Sequence, residues 1–165
     1  MFERVHPLAA LAAGSSGPAE MQLVALPPTA RWIIRGDALD MGLVKPDACR
    51  ATVNGDRALL WLGPDEFLFL SPEGTDGGKM AVDISHRDVA IEVSGARAAW
   101  AINAFCALDL HPSVFPFGMC TRTVFAKAQI VLWRTDTDTF RIEVARSFAA
   151  YVWACLEEAR REFLA

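Results

Sequence analysis

Apolar and polar positions alternate along much of the chain, and the alternation predicts strands more often than helices. Residues 58–62 (ALLWL) and 66–70 (EFLFL) are two short apolar runs separated by Gly63-Pro64-Asp65-Glu66. That is a hairpin, with Pro64 supplying the fixed φ that the first central turn position favours. Residues 21–26 and 31–35 read as strands around Pro27-Pro28. Residues 79–84 and 88–93 read the same way, with Val89, Ile91 and Val93 alternating against Asp88, Glu92 and Ser94. Strands are also predicted over 121–126, 129–133 and 139–144, with a turn at 135–138.

Helical spacing is rarer. Phe148, Val152, Leu156, Ala159 and Phe163 fall on one helical face, with Ser147 as the expected N-cap and Glu157 to Arg161 as an i,i+4 pair on the wet side. A second helix is expected over 96–106, capped by Ser94. Shorter helical pieces are expected over 6–13 and 37–44, the latter ending before Pro46. The Gly/Ser cluster at 14–18 reads as a flexible break. The stretch 71–78, with Pro72, Gly74, Gly77 and Gly78, reads as a mobile loop, and 111–119, with Pro112 and Pro116, as irregular chain.

Two stretches echo each other. Ala38-Leu39-Asp40, Leu59-Leu60-Trp61 and Phe67-Leu68-Phe69 correspond to Ala107-Leu108-Asp109, Val131-Leu132-Trp133 and Phe140-Arg141-Ile142, at offsets of 69, 72 and 73. The echo predicts an α+β fold over residues 1–165. It would be one domain of two pseudo-repeats, about 20–78 and 79–165, with antiparallel sheets, flanking helices and a loose N-terminal segment. Neither unit is large enough to bury a core alone. Coincidence among Leu-rich hairpins is the other reading. Regular β-α-β alternation is absent, which excludes a doubly wound nucleotide fold.

Composition adds one question and removes several answers. Hydrophobic residues make up 53% of the 165 residues and charged residues 22%, with a mean hydropathy of +0.24. A typical soluble domain is about 45–50% apolar with Gly included. The excess suggests a surface that sits against a partner. It is not a membrane span, which needs about 20 nearly uncharged residues in succession. The N-terminus lacks the long apolar region and basic start of a secretion signal, so a cytoplasmic location is expected. The net charge of −4, without a basic run, argues against nucleic acid.

Candidate chemistry is sparse. Cys49, Cys106, Cys120 and Cys155 show no metal or redox spacing; Cys106, His111 and Cys120 could in principle gather as ligands, but buried reduced thiols are the plainer reading. Ser85 and His86 are adjacent, so on a strand they point to opposite faces and cannot act as nucleophile and base. His86 and His111 are expected in turn and loop contacts, and Asp136 and Asp138 at a solvated hairpin tip. No self-contained active site is expected, and no metal or cofactor site on this chain. For a partner interface the choice falls on the stretch 114–119, with Phe115, Phe117 and Met119, and on the exposed sides of the aromatic strands, because aromatics and Met are enriched and charges depleted at interface cores. The alternative is that these side chains cap the chain's own core.

Several segments together resemble the gamma subunit family of heterotetrameric sarcosine oxidase. They are Ala81-Val82-Asp83-Ile84-Ser85-His86, Val89-Ala90-Ile91-Glu92-Val93-Ser94-Gly95, Leu108-Asp109-Leu110-His111-Pro112, and Phe115-Pro116-Phe117-Gly118-Met119-Cys120-Thr121-Arg122-Thr123. Lys127-Ala128-Gln129-Ile130-Val131-Leu132-Trp133 and Phe140-Arg141-Ile142-Glu143-Val144 continue the likeness. So does the first-half hairpin, where the family pattern would have Trp in place of Phe67. The Asp-Ile-Ser-His segment is similar more widely to the folate-binding aminomethyltransferase domain of the glycine cleavage T-protein. The resemblance implies that fold and a non-catalytic, structural gamma subunit. The complex would oxidatively demethylate sarcosine to glycine, yielding hydrogen peroxide with formaldehyde or methylene-tetrahydrofolate. It also implies that FAD, FMN, NAD, tetrahydrofolate and zinc belong to other subunits, and that no catalytic residue is carried over to this chain. The alternatives are a small folate-binding or aminomethyltransferase-like protein acting alone, and a homo-oligomer when isolated.

Overall fold

Strand alternation, more than helix formation, organises the fold of this computed structural model, which describes residues 5–13, 20–36, 42–78 and 81–162. In chain order come α1 (Ala9–Ala12), β1 (Gln22–Ala25), β2 (Ala30–Arg35), β3 (Ala51–Asn54), β4 (Arg57–Gly63), β5 (Glu66–Ser71), β6 (Ala81–Asp83) and β7 (Asp88–Ser94). They are followed by α2 (Ala98–Asn103), β8 (Cys120–Phe125), β9 (Ala128–Asp136), β10 (Thr139–Ala145) and α3 (Arg146–Arg161). The result is an α+β fold dominated by antiparallel sheet, as the alternation predicts.

The strands form two five-stranded sheets, ordered β1-β7-β10-β9-β8 and β3-β4-β5-β2-β6. Each sheet takes one strand from the far half of the chain. β1 pairs with β7 through Gln22↔Ser94 to Ala25↔Ile91, and β6 pairs with β2 through Ile34↔Ala81 to Trp32↔Asp83. The sheets also meet where the chain enters β3 and β8. There Cys120 N–H donates to Cys49 O at 3.0 Å, Ala51 N–H donates to Gly118 O at 2.9 Å, and Arg50 bridges Met119.

The β4–β5 hairpin shows why its sequence is an almost unbroken apolar run. Leu60, Leu62, Leu68 and Leu70 face the first sheet and pack with its Cys120 and Trp133. The alternate residues Leu59, Phe67 and Phe69 face away and pack with Ile34 and Leu43. Both faces are buried, so period-two polarity has nowhere to appear. On the outer face of the first sheet, α2 and α3 cover a core that includes Ile91, Ile102, Leu132, Ile142, Val152 and Leu156.

Several boundaries differ from those predicted. α2 starts at Ala98, not at 96, and has Arg97 at its N-cap position, with no side-chain cap. Ser94 is instead the last residue of β7, paired with Gln22 and Thr139. Ser147 lies inside the first turn of α3, whose N-cap position is Ala145. The buried face of α3 is Ala149, Val152, Trp153, Leu156, Ala159 and Arg160, and Phe148 is exposed. Ion pairs along α3 join Arg160 on its buried face to Glu157, and Arg161 to Glu158 in solvent, each three residues apart. β3 was not predicted: its four residues are half-buried or exposed, so no apolar stripe marks it. Residues 42–44 are not helical. The rest of the helix expected over 37–44, the flexible break at 14–18 and Phe163 lie outside the described residues. No described helix is long and apolar enough to cross a membrane.

The hairpin registers also refine the tryptophan echo. Trp61 pairs with Phe67, whereas the residue paired with Phe140 is Arg134, and Trp133 pairs with Arg141. Trp61 and Trp133 therefore occupy successive hairpin positions on opposite faces.

Candidate functional site

Residues 109–119 form an irregular loop held by its own hydrogen bonds. Asp109 Oδ1 accepts from His111 N–H at 2.8 Å, and His111 O accepts from Val114 and Phe115 N–H at 2.9 and 2.8 Å. His111 Nδ1 lies 2.7 Å from Ser113 Oγ. Gly118 adopts φ 78°, a conformation that side chains disfavour, and this lets Met119 N–H close a turn onto Pro116 O at 3.0 Å.

The three residues singled out for an interface are split by this loop. Phe115 is 2% exposed and packs in the core, its ring centroid 6.5 Å from that of Phe140. Met119 is partly buried against the same core. Phe117 is 68% exposed, and its carbonyl accepts from Arg50 Nη1 at 3.4 Å. Val114 is exposed beside it in sequence. From Leu110 to Thr121 the chain carries no Asp, Glu, Lys or Arg, so the loop brings no formal charge of its own, and the cation at its surface is the exposed Arg50 seated on Phe117 O.

A residue that sequence reasoning missed sits beneath the loop. Arg134 on β9 is 2% exposed, and its Nη1 donates to Phe115 O at 2.6 Å and Leu110 O at 3.3 Å. Its guanidinium lies 4.7 Å from the centroid of the Phe140 ring. Burial pulls its pKa below the usual arginine value, with Asp138 acting the other way. The available signal was its place in the apolar run Ile130-Val131-Leu132-Trp133-Arg134, where a surface cation is out of character.

A second feature is a cleft of about 780 Å³ beside β2, lined by His6, Arg31, Trp32, Ser85, His86 and Arg146 among others. Beneath it a buried ion cluster joins the sheets. Glu143 on β10 accepts from Arg31 Nε of β2 at 2.6 Å and from Arg141 Nε at 2.7 Å. Burial works to raise the Glu143 carboxyl pKa, but the adjacent Arg141 and Arg31 outweigh it and hold the group below its ordinary value. His6 is pushed down by burial, then by Arg146 and Arg31. Ser85 Oγ accepts from Arg31 N–H at 2.9 Å, and Ser85 N–H donates to Asp83 Oδ1 at 2.8 Å. The Asp-Ile-Ser-His segment thus closes a turn onto β2.

The cysteines are four free thiols. Burial pushes the Cys120 thiol up to about 12, and its Sγ donates to Arg50 O at 3.2 Å. Among the described residues no three His, Cys, Asp or Glu side chains are grouped to hold a metal ion.

The sarcosine oxidase gamma subunit family model matches residues 77–162. The chain belongs to that family. It is 30% identical over 150 residues to the sarcosine oxidase subunit gamma of Corynebacterium sp. (strain P-1), spanning 84% of this chain and 74% of that protein. It is 31% identical over 150 residues to the Arthrobacter sp. gamma subunit, with the same coverage of each. A chain in the solved heterotetrameric sarcosine oxidase of Corynebacterium sp. U-96, in complex with pyrrole 2-carboxylate, superposes with a TM-score of 0.86 at 27% identity. That match covers 98% of this gamma-family chain and 97% of the other. The glycine cleavage aminomethyltransferase T of Bartonella henselae shares the fold. Its TM-score is 0.61 at 14% identity, over 84% of this chain and 45% of that one.

Proposed function

We propose that the chain is the structural gamma subunit of a heterotetrameric sarcosine oxidase that oxidatively demethylates sarcosine to glycine. The observation that carries this reading is the near end-to-end superposition on a chain of the solved heterotetramer, covering 98% of this chain. In this reading FAD, FMN, NAD, tetrahydrofolate and zinc reside on companion subunits, and the gamma chain contributes docking surface. The side chains with chemical potential are spent locally: Ser85 on β2 and His111 on its own loop. Four free thiols suit a reducing cytoplasm.

The docking element is the 111–119 loop, with Phe117 as its exposed anchor and Phe115 and Met119 as its inward supports. A large aromatic at the tip of an uncharged, internally bonded loop has the makings of an interface hot spot. Its partner is a companion subunit presenting an apolar pocket for Phe117 with an acceptor-bearing rim for the neighbouring Arg50. The two sheets share one strand order, β6-β2-β5-β4-β3 matching β1-β7-β10-β9-β8, which supports a duplicated domain of about 20–78 and 79–165.

Co-expression with the companion subunits of its own cell tests the reading. The gamma chain should co-purify with them, and alone it should be colourless and inactive on sarcosine. Flavin absorbance or oxidase turnover by the isolated chain would overturn a structural role. Micromolar tetrahydrofolate binding by the free chain would favour the folate-binding alternative.

A further inference from the structure

We propose that Arg134 is the positioning residue that presets the docking loop, so that Phe117 meets its partner pocket without rearrangement. The inference rests on the reading of that loop as the docking element. Four hydrogen bonds connect this one residue to the loop. Its side chain donates to Leu110 O and Phe115 O, at 3.3 and 2.6 Å. Its backbone accepts from Gly118 N–H at 3.0 Å and donates to Met119 O at 2.9 Å. Phe117 lies between the second and third of these attachment points. It is therefore fixed from both sides while its ring stays in solvent.

The chemistry of Arg134 argues for a geometric role. A guanidinium at 2% exposure has left water, and no described carboxylate lies within ion-pair distance of it. Neutral carbonyls and the face of Phe140 replace its hydration, and its Nε finds no acceptor. A buried cation held this way is a poor route to stability when an apolar side chain could fill the same space. One nitrogen, Nη1, reaches two carbonyls five residues apart while the guanidinium plane lies over the Phe140 ring; a lysine ammonium keeps the donors but not the plane that sets their direction. Preorganisation of this kind lowers the ordering cost of binding.

The experiment measures binding of the folded gamma chain to its immobilised companion subunits, well below the melting temperature, for wild type, R134K, R134M and F117S. Wild-type binding is the control for the docking reading itself. If wild type binds and F117S does not, the loop is the docking element. Then R134K and R134M should each dissociate at least about tenfold faster, although R134M fills the same volume with an apolar chain. Variants that melt lower yet keep wild-type association and dissociation rates would overturn the positioning role and leave Arg134 merely structural. If F117S binds like wild type, both the loop assignment and the role of Arg134 fall. Failure of wild type to bind its companions would overturn the docking reading, and the Arg134 inference with it.

Discussion

Removing the charge of Glu143 should destabilise the protein about as much as truncating a buried Leu or Ile in the core. Glu143 and Arg31 are each 2% exposed, and Arg141 closes the cluster from the other side. In E143Q two guanidiniums remain with one neutral amide between them, and Arg31, 2% exposed, loses the carboxylate that compensates its burial. Breaking a buried pair by removing one partner costs about 3–5 kcal/mol. For a chain of 165 residues, each kcal/mol moves the melting temperature by about 2–4 °C, so the loss should be about 6–20 °C. The pH dependence carries the same signature. The folded-state pKa of Glu143 lies below its ordinary 4.5. Its stabilisation is therefore complete above that ordinary value and is lost as pH falls through the lower folded value. Urea titrations of wild type and E143Q at pH 7 and at successively lower pH would measure both effects. The difference between them should shrink towards acid. A loss below about 1 kcal/mol at pH 7, or a difference unaffected by acid, would refute the assignment of Glu143 as an ionised inter-sheet clamp.

Three further outcomes follow from single sites. F117S should leave the melting temperature within about 2 °C, as expected for an exposed position, while abolishing co-purification with companion subunits. G77A places a Cβ within the space of the Trp32 indole, so the 72–78 stretch must shift; a loss of about 1–3 kcal/mol and a changed tryptophan emission should accompany it. The Cys120 thiol, with its pKa near 12, should resist a thiol-specific reagent at pH 8 until the protein is unfolded in denaturant, whereas the half-buried Cys49 and Cys155 should react before it.

What the sequence disclosed followed from where polarity had freedom to vary. The hairpin β4–β5, the strands β7, β9 and β10 and the helix α3 were legible because each has a strong apolar stripe or run. β3 was not, because its side chains are half-buried or exposed and no stripe forms. The exchange of β1 and β6 between sheets was also hidden, since pairing partners distant in sequence leave no local trace. In the 111–119 loop the composition could not distinguish Phe115, turned inward, from Phe117, turned outward. Two prolines and a left-handed Gly118 remove the periodicity that would have told them apart. The Arg31–Glu143–Arg141 cluster was invisible for a different reason. A charged residue in a strand reads as solvent-facing until a second sheet is known to lie over it.

The exchange of one strand between the two sheets has a consequence for how the chain is made. β1 emerges early from the ribosome, but its partner β7 lies about 70 residues later, at Gln22↔Ser94. β2 likewise waits for β6 to complete its sheet. The sheet β3-β4-β5-β2-β6 is complete once Asp83 has emerged, whereas β1 waits for β7 and its own sheet closes only when β10 is made near the end of the chain. Folding should therefore be slow for a domain of this size, with nascent edges exposed in the interval. Two separately expressed halves, cut within the 72–78 stretch, should gain structure only when mixed.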